Sequence, residues 1–337
     1  MNYILKDENA VYYEVGFSCD NELLIVAGSE KFFITDARYT TAAKEEIKNA
    51  EVIEARDLLA AASKLLRKLK IKKLFYDPKD LGCAELEALQ KLPLTLTKKA
   101  NLSWQKRQIK SSEEIELLKT SARLNREAFD EFAAYLTKAK GMSEKRLQFE
   151  AKAILSRFGE YDLSFEPILA INENAAKPHA HPTDKILQTG DLILFDAGIK
   201  YKRYCSDRTR TSLYNDNIDF TKDQKFSNPK IQRAYDIVRK AQEEAIKRAR
   251  PGMRAKDLDR IAREIIDKSE FKGAFVHSLG HGVGLDIHEM PFINARNEQI
   301  LQEGMVFTIE PGIYIAQEFG IRIEDMVVLR ESGAEVL

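Results

Sequence analysis

Four carboxylates in this chain stand where a carboxylate is expensive to bury. Asp196 follows an apolar run in Leu194-Phe195-Asp196-Ala197-Gly198, and Asp207 lies in Cys205-Ser206-Asp207-Arg208-Thr209-Arg210-Thr211. Glu310 sits in Phe307-Thr308-Ile309-Glu310-Pro311-Gly312, and Glu324 in Ile321-Arg322-Ile323-Glu324-Asp325. Even a neutral polar group left unpaired in an apolar interior costs on the order of 2 to 7 kcal/mol. Acids that converge also repel one another, so a fold that buries these strand-like segments must supply cations. Asp196 and Asp207 are separated as facing positions on a hairpin would be. His281, in Gly280-His281-Gly282-Val283-Gly284, completes a set of four carboxylates and one neutral imidazole. Its glycines permit a tight backbone and close approach. That set is close to charge balance with two divalent cations, and a bridging hydroxide is then the natural nucleophile.

The histidines agree. There are five, His179, His181, His277, His281 and His288, and none lies in the first half of the chain. Clustering of the side chain that titrates near neutrality points to a site in the second half. Lys+Arg and Asp+Glu balance at 53 each, so no global field draws nucleic acid or an anionic membrane. No apolar run is long enough to span a bilayer, and the acidic start MNYILKDENA does not read as a signal peptide. Cys19, Cys83 and Cys205 are odd in number and scattered, which fits a reducing, cytoplasmic setting rather than a disulfide framework.

The 337 residues suit two domains. Residues 23–27, 31–35 and 73–76 read as strands and residues 56–70 as an amphipathic helix, an α/β domain with no phosphate-binding glycine motif. Residues 94–110 are polar and basic and read as a connection. Ser111-x-x-Glu114 then matches a capping box, and Ile115, Leu118, Ala122, Phe129, Phe132 and Leu136 form a helical stripe that Gly141 is expected to end. Ser143 caps a second helix, expected to run to about residue 158. Residues 191–195 read as a buried strand, and helices are expected near 229–249 and 255–269, with Pro229 in the first turn. The order helix, helix, strands, then helix, helix, strands hints at two similar halves.

With these motifs in order, residues 111–337 resemble the pita-bread metallopeptidases: methionine aminopeptidase, Xaa-Pro aminopeptidase and Xaa-Pro dipeptidase (prolidase). The first hundred residues resemble the creatinase N-terminal domain, through Phe33-Ile34-Thr35-Asp36-Ala37-Arg38-Tyr39. The resemblance implies an α/β (α+β) protein with a creatinase-like N-terminal domain over 1–108 and a pita-bread catalytic domain over 109–337. It implies that Asp196 chelates one metal ion, that His281 and Glu310 bind the other, and that Asp207 and Glu324 bridge both. Glu310 also serves as general base and then acid, and His179 and His288 contact the substrate carbonyl. Carboxylate-rich ligation favours manganese, with cobalt, iron and zinc open.

His277, four residues before the ligand histidine, resembles the Xaa-Pro branch, and Arg322 and Tyr314 stand at its supporting positions; Arg322 is expected to orient Glu324 or another carboxylate by a bidentate pair. The expected activity is an Xaa-Pro aminopeptidase taking peptides with proline second, and the expected assembly a homodimer or homotetramer. Xaa-Pro dipeptidase is the alternative, followed by methionine aminopeptidase and a non-catalytic binder on the same fold. His181 has no family role. Ala180 replaces a common glycine and Arg208 a commonly aliphatic residue, both read as local variation.

Overall fold

Alternating apolar residues decide how the first part of the chain folds. In the computed structural model, which describes residues 1–337, the chain separates into two units, Met1–Arg107 and Gln108–Leu337. The first contains β1 (Asn2–Leu5), α1 (Glu8–Val15), β2 (Glu22–Ala27), β3 (Glu30–Thr35), α2 (Thr40–Glu46), β4 (Glu51–Glu54), α3 (Leu58–Lys68), β5 (Lys73–Tyr76), α4 (Cys83–Gln90), β6 (Thr95–Lys98) and α5 (Leu102–Arg107). The strands form one sheet in the order β4-β3-β2-β1-β5-β6. Its centre is antiparallel, and the three outer pairings are parallel and joined through helices, as parallel neighbours require. Successive side chains point to opposite faces. Ile4, Ile25 and Ile34 therefore pack with Leu65 and Leu66 of α3. Leu5, Leu24 and Phe33 pack with Ala10 and Val11 of α1 on the other side.

The expected connection over 94–110 is instead mostly structured as β6 and α5. Leu94 and Leu96 pack against one core and Leu102 is buried in the other. Their spacing among lysines gives a polar average that hides the pattern.

The second unit opens with α6 (Ser112–Leu136) and α7 (Glu144–Leu155). Ser111 and Glu114 form the capping box at the start of α6. That helix stops at Leu136, short of Gly141, because i,i+3 bonds from Lys138 and Ala139 tighten its end. The next helix is shorter than expected, since Arg157 and Phe158 take left-handed φ values of 45° and 56°. Then come β7 (Asp162–Leu163), β8 (Ile168–Ile171), β9 (Leu192–Ala197), β10 (Ile199–Tyr201), β11 (Tyr204–Cys205) and β12 (Arg208–Leu213). The antiparallel sheet β12-β9-β8 is covered by α6 and α7 through Phe129, Phe132, Leu147, Leu169 and Phe195.

The second half repeats the order with α8 (Pro229–Arg248), α9 (Ala255–Asp267), β13 (Gly280–Gly282), β14 (Glu289–Ile293), β15 (Val306–Ile309), β16 (Gly312–Ile315), β17 (Phe319–Arg322), β18 (Asp325–Arg330) and β19 (Gly333–Val336). Its five-stranded sheet runs β14-β13-β15-β18-β19, and β16 pairs with β17. Val238, Ala241, Leu258 and Ala262 bury these helices against Phe307, Ile309 and Val327.

Candidate active site

The strands of both halves deliver the acids to one place. Asp196 lies in β9 opposite Thr209 of β12, so the hairpin partner of Asp196 is two residues beyond Asp207. Asp207 immediately precedes β12, Glu310 follows β15, and Glu324 joins β17 to β18. His281 is the central residue of β13. Two glycines make the approach possible: a Cβ on Gly198 would fall 1.9 Å from the carbonyl oxygen of Ser206, and one on Gly280 would fall 1.9 Å from that of Thr308. The second contact lets the Thr308 hydroxyl accept from the His281 N–H (3.1 Å) and donate to Glu310 Oε1 (2.9 Å). His281 Nε2 lies 3.3 Å from Glu310 Oε1 and 3.6 Å from Asp207 Oδ2.

Burial governs the electrostatics. Burial, then the charges of Glu324, Asp196 and Glu310, hold the Asp207 carboxyl well above the ordinary range. Burial, with Glu310 and Asp196, does the same to Glu324. Glu310 is pushed up to about 7 by burial against the opposing pull of Arg322. Burial, with His288 beside it, pushes His281 down to about 3, so the imidazole is neutral at pH 7.

Arg322 is the one guanidinium in this cluster. Burial works against its charge, but Tyr314, Asp196, Glu310 and Glu324 outweigh that and hold it above its ordinary range. It pairs with Asp196 through a single nitrogen rather than bidentately with Glu324. Its Nε donates to the Thr209 hydroxyl (3.0 Å), which donates to Glu324 Oε2 (2.6 Å). Its Nη1 donates to the Tyr314 hydroxyl (2.9 Å) and the Pro178 carbonyl (3.2 Å). Tyr314 in turn meets His277 Nε2 at 2.9 Å. His277 is pushed down to about 3 by burial and by Arg322, while burial raises Tyr314 to about 12.

A cleft of about 450 Å³ opens over these groups. All five proposed ligands line it, as do His179, His181, Ala180, His277, His288 and Arg322; Tyr314 stands behind His277 and Arg322. The His281 and His288 rings are 4.3 Å apart at an interplanar angle of 61°. His181 faces the cleft, and its carbonyl accepts from Asn174. Arg208 lies outside the cleft, over the Phe129 ring and near Asp325. Thr209, whose hydroxyl joins Arg322 to Glu324, and Thr308, whose hydroxyl joins the His281 N–H to Glu310, escaped the sequence reading. For Thr209 the signal was the two-residue strand period, which puts it on the face of Asp207.

The residues fit divalent cations. One donor atom each from Asp207, His281 and Glu324 lies within 4.8 Å of the others. The buried Asp196 Oδ1 has no hydrogen-bond partner, and a set of oxygens with one imidazole suits hard or borderline ions.

Two similar halves whose antiparallel sheets close over a cluster of acids form the pita-bread arrangement, and the class defined here is its hydrolases. The chain belongs to metallopeptidase family M24, whose model matches residues 116–331; residues 2–109 match the Creatinase/Prolidase N-terminal domain. The family implies divalent metal ions. A Xaa-Pro dipeptidase from Pyrococcus furiosus is 41% identical over 68% of this chain and 62% of its own length. The structure of a Xaa-Pro dipeptidase from Bacillus anthracis covers 99% of this chain and 92% of its own at 29% identity and a TM-score of 0.91. An X-Pro aminopeptidase from Thermotoga maritima covers 99% and 94% at 32% identity and a TM-score of 0.88.

Proposed function

We propose that this chain is an Xaa-Pro aminopeptidase, releasing the N-terminal residue of peptides that carry proline second. The observation that carries the reading is the make-up of the cleft. Acids and His281 line one part, while Phe165, Pro167, Ile168 and Ile287 offer apolar surface for a prolyl ring. Arg322 is the only Lys or Arg in the lining, and Asp196, Thr209, Tyr314 and the Pro178 carbonyl already engage it. A dipeptidase needs a cation for the terminal carboxylate of its substrate; a longer peptide presents a neutral amide there.

Asp196, Asp207, His281, Glu310 and Glu324 would hold two cations, manganese first among them, with Asp207 and Glu324 shared. Bound there, the ions lower the pKa of a water and polarise the scissile carbonyl. The leaving nitrogen of an Xaa-Pro bond has no hydrogen of its own, so a protein acid must supply one. Glu310 takes the water proton on its carboxylate and passes it to that nitrogen, its Oε1 fixed by the Thr308 hydroxyl at 2.9 Å. His179 and His288 donate N–H bonds to the carbonyl oxygen as it gains charge. The same reading takes 1–108 as the N-terminal domain and 109–337 as the catalytic domain of a cytoplasmic homodimer or homotetramer. No helix is long and apolar enough to cross a membrane.

A second reading, Xaa-Pro dipeptidase, is favoured by the named relatives from P. furiosus and B. anthracis. The test is a panel of Xaa-Pro, Xaa-Pro-Yaa, Xaa-Ala and Met-Ala peptides, each with Mn, Co, Fe and Zn. Release from Xaa-Pro-Yaa supports the aminopeptidase. Cleavage of two-residue substrates alone makes it a dipeptidase, and release of Met without proline preference overturns both.

A further inference from the structure

The loop that carries His277 has almost no scaffold of its own. Residues 275–278 make no main-chain to main-chain hydrogen bond, while Ala274 on one side is tied to Tyr314 and Leu279 on the other to Ile293 and Glu310. Val276, at the middle of the segment, is 63% exposed. The Ser278 carbonyl meets the ring of His277 itself, at 2.8 Å from Nδ1, and two further carbonyls accept from one side chain on the neighbouring helix. Arg263 of α9 donates from Nη1 to the Phe275 carbonyl and from Nη2 to the His277 carbonyl, each at 2.8 Å. The guanidinium also stacks 4.3 Å from the centre of the Phe275 ring. One turn earlier on the helix, the buried Asp259 accepts from Arg263 Nε (2.8 Å) and Nη2 (2.9 Å) and from the Leu279 N–H (3.1 Å). The fork is thus aimed by a carboxylate that also pins the end of the loop.

We propose that Arg263, aimed by Asp259, is a positioning residue that sets where the His277 ring stands in the cleft. From there the chain of contacts continues inward through Tyr314 to Arg322, and from Arg322 to Asp196 and, by way of Thr209, to Glu324. The planar fork spans two carbonyls and a carboxylate together; a lysine ammonium reaches one or the other. Arg263 is 27% exposed in its side chain while Asp259 is buried, so Arg263→Lys, which keeps a cation beside that carboxylate, controls for the stability that Arg263→Ala gives up. The effect on catalysis rests on the proposed peptidase reading; the effect on the loop does not.

The test compares wild type with Arg263→Ala and Arg263→Lys in two measurements. Amide hydrogen exchange in the metal-free protein should show the Leu279 N–H, which Asp259 holds, exchanging about tenfold faster in Arg263→Ala, with α9 unchanged and Arg263→Lys intermediate. With the metal-loaded enzyme and an Xaa-Pro-Yaa peptide, KM should rise about tenfold while metal content and kcat stay near wild type. Unchanged exchange at the Leu279 N–H overturns the proposal, as does an equal loss of kcat and metal content. A wild type that exchanges as expected but cleaves no proline peptide removes the peptidase reading and leaves the clamp intact.

Discussion

At the scale of single residues, the site is a set of acids whose charges need partners and a set of hydroxyls that fix where those charges point. Thr209 is the clearest case: it accepts from Arg322 and donates to Glu324. Thr209→Val keeps the shape and removes both bonds, and should lower metal affinity or turnover about 10- to 100-fold. Metal titration of the purified variant, read beside its peptidase rate, checks this. Asp207→Ala removes a proposed shared ligand and should abolish hydrolysis; near wild-type turnover in metal-supplemented buffer would refute that role. The carboxylates were legible in the sequence because an acid inside an apolar strand is conspicuous. The pairing of Arg322 with Asp196 was not, since it depends on which of several buried acids the fold turns toward the guanidinium. Arg263 was hidden for a related reason: in sequence it is one arginine among many, and its carbonyl partners come from a loop with no pattern of its own.

At the scale of elements, caps and periodicity located the long helices, and the strand period located the buried sheet centre. Short elements with mixed composition, β6 and α5, escaped because their few leucines are diluted by lysine. This part of the chain also has a testable electrostatic anchor. Glu14 of α1 is 6% exposed, bonds the Tyr3 hydroxyl and pairs with Lys31 and Lys106. Burial raises its pKa, but bonds from Lys106, Tyr3 and Lys31 win and hold it below the usual glutamate range. A depressed folded-state pKa stabilises above the unfolded value of about 4.5 and is lost as pH falls through the folded value. Glu14→Gln should therefore cost about 1 to 3 kcal/mol at pH 7 and progressively less below pH 4.5. The chain has one tryptophan, Trp104 in α5, so its fluorescence during urea unfolding reads this unit in the intact protein.

At the scale of the whole molecule, resident cations and fold stability are linked. In the metal-free catalytic unit, burial and neighbouring acids hold the carboxyls of Asp207, Glu310 and Glu324 above their ordinary range. An ion that binds the folded chain alone stabilises it by about 2.7 kcal/mol at a hundred times its Kd. Manganese should thus raise the melting temperature of chelator-treated protein, and the rise should vanish in Asp207→Ala; calorimetry with and without the ion checks both. The two similar halves were legible only as an order of elements, because their lengths and connections have diverged. Yet each half brings two acids, Asp196 and Asp207 from one and Glu310 and Glu324 from the other, and the single imidazole comes from the second. Neither half holds a smaller working copy of the whole. Severed from its counterpart, each would keep an incomplete grip on its ions, so reassembly of separately expressed fragments should restore turnover only when both are present, with no graded activity in between.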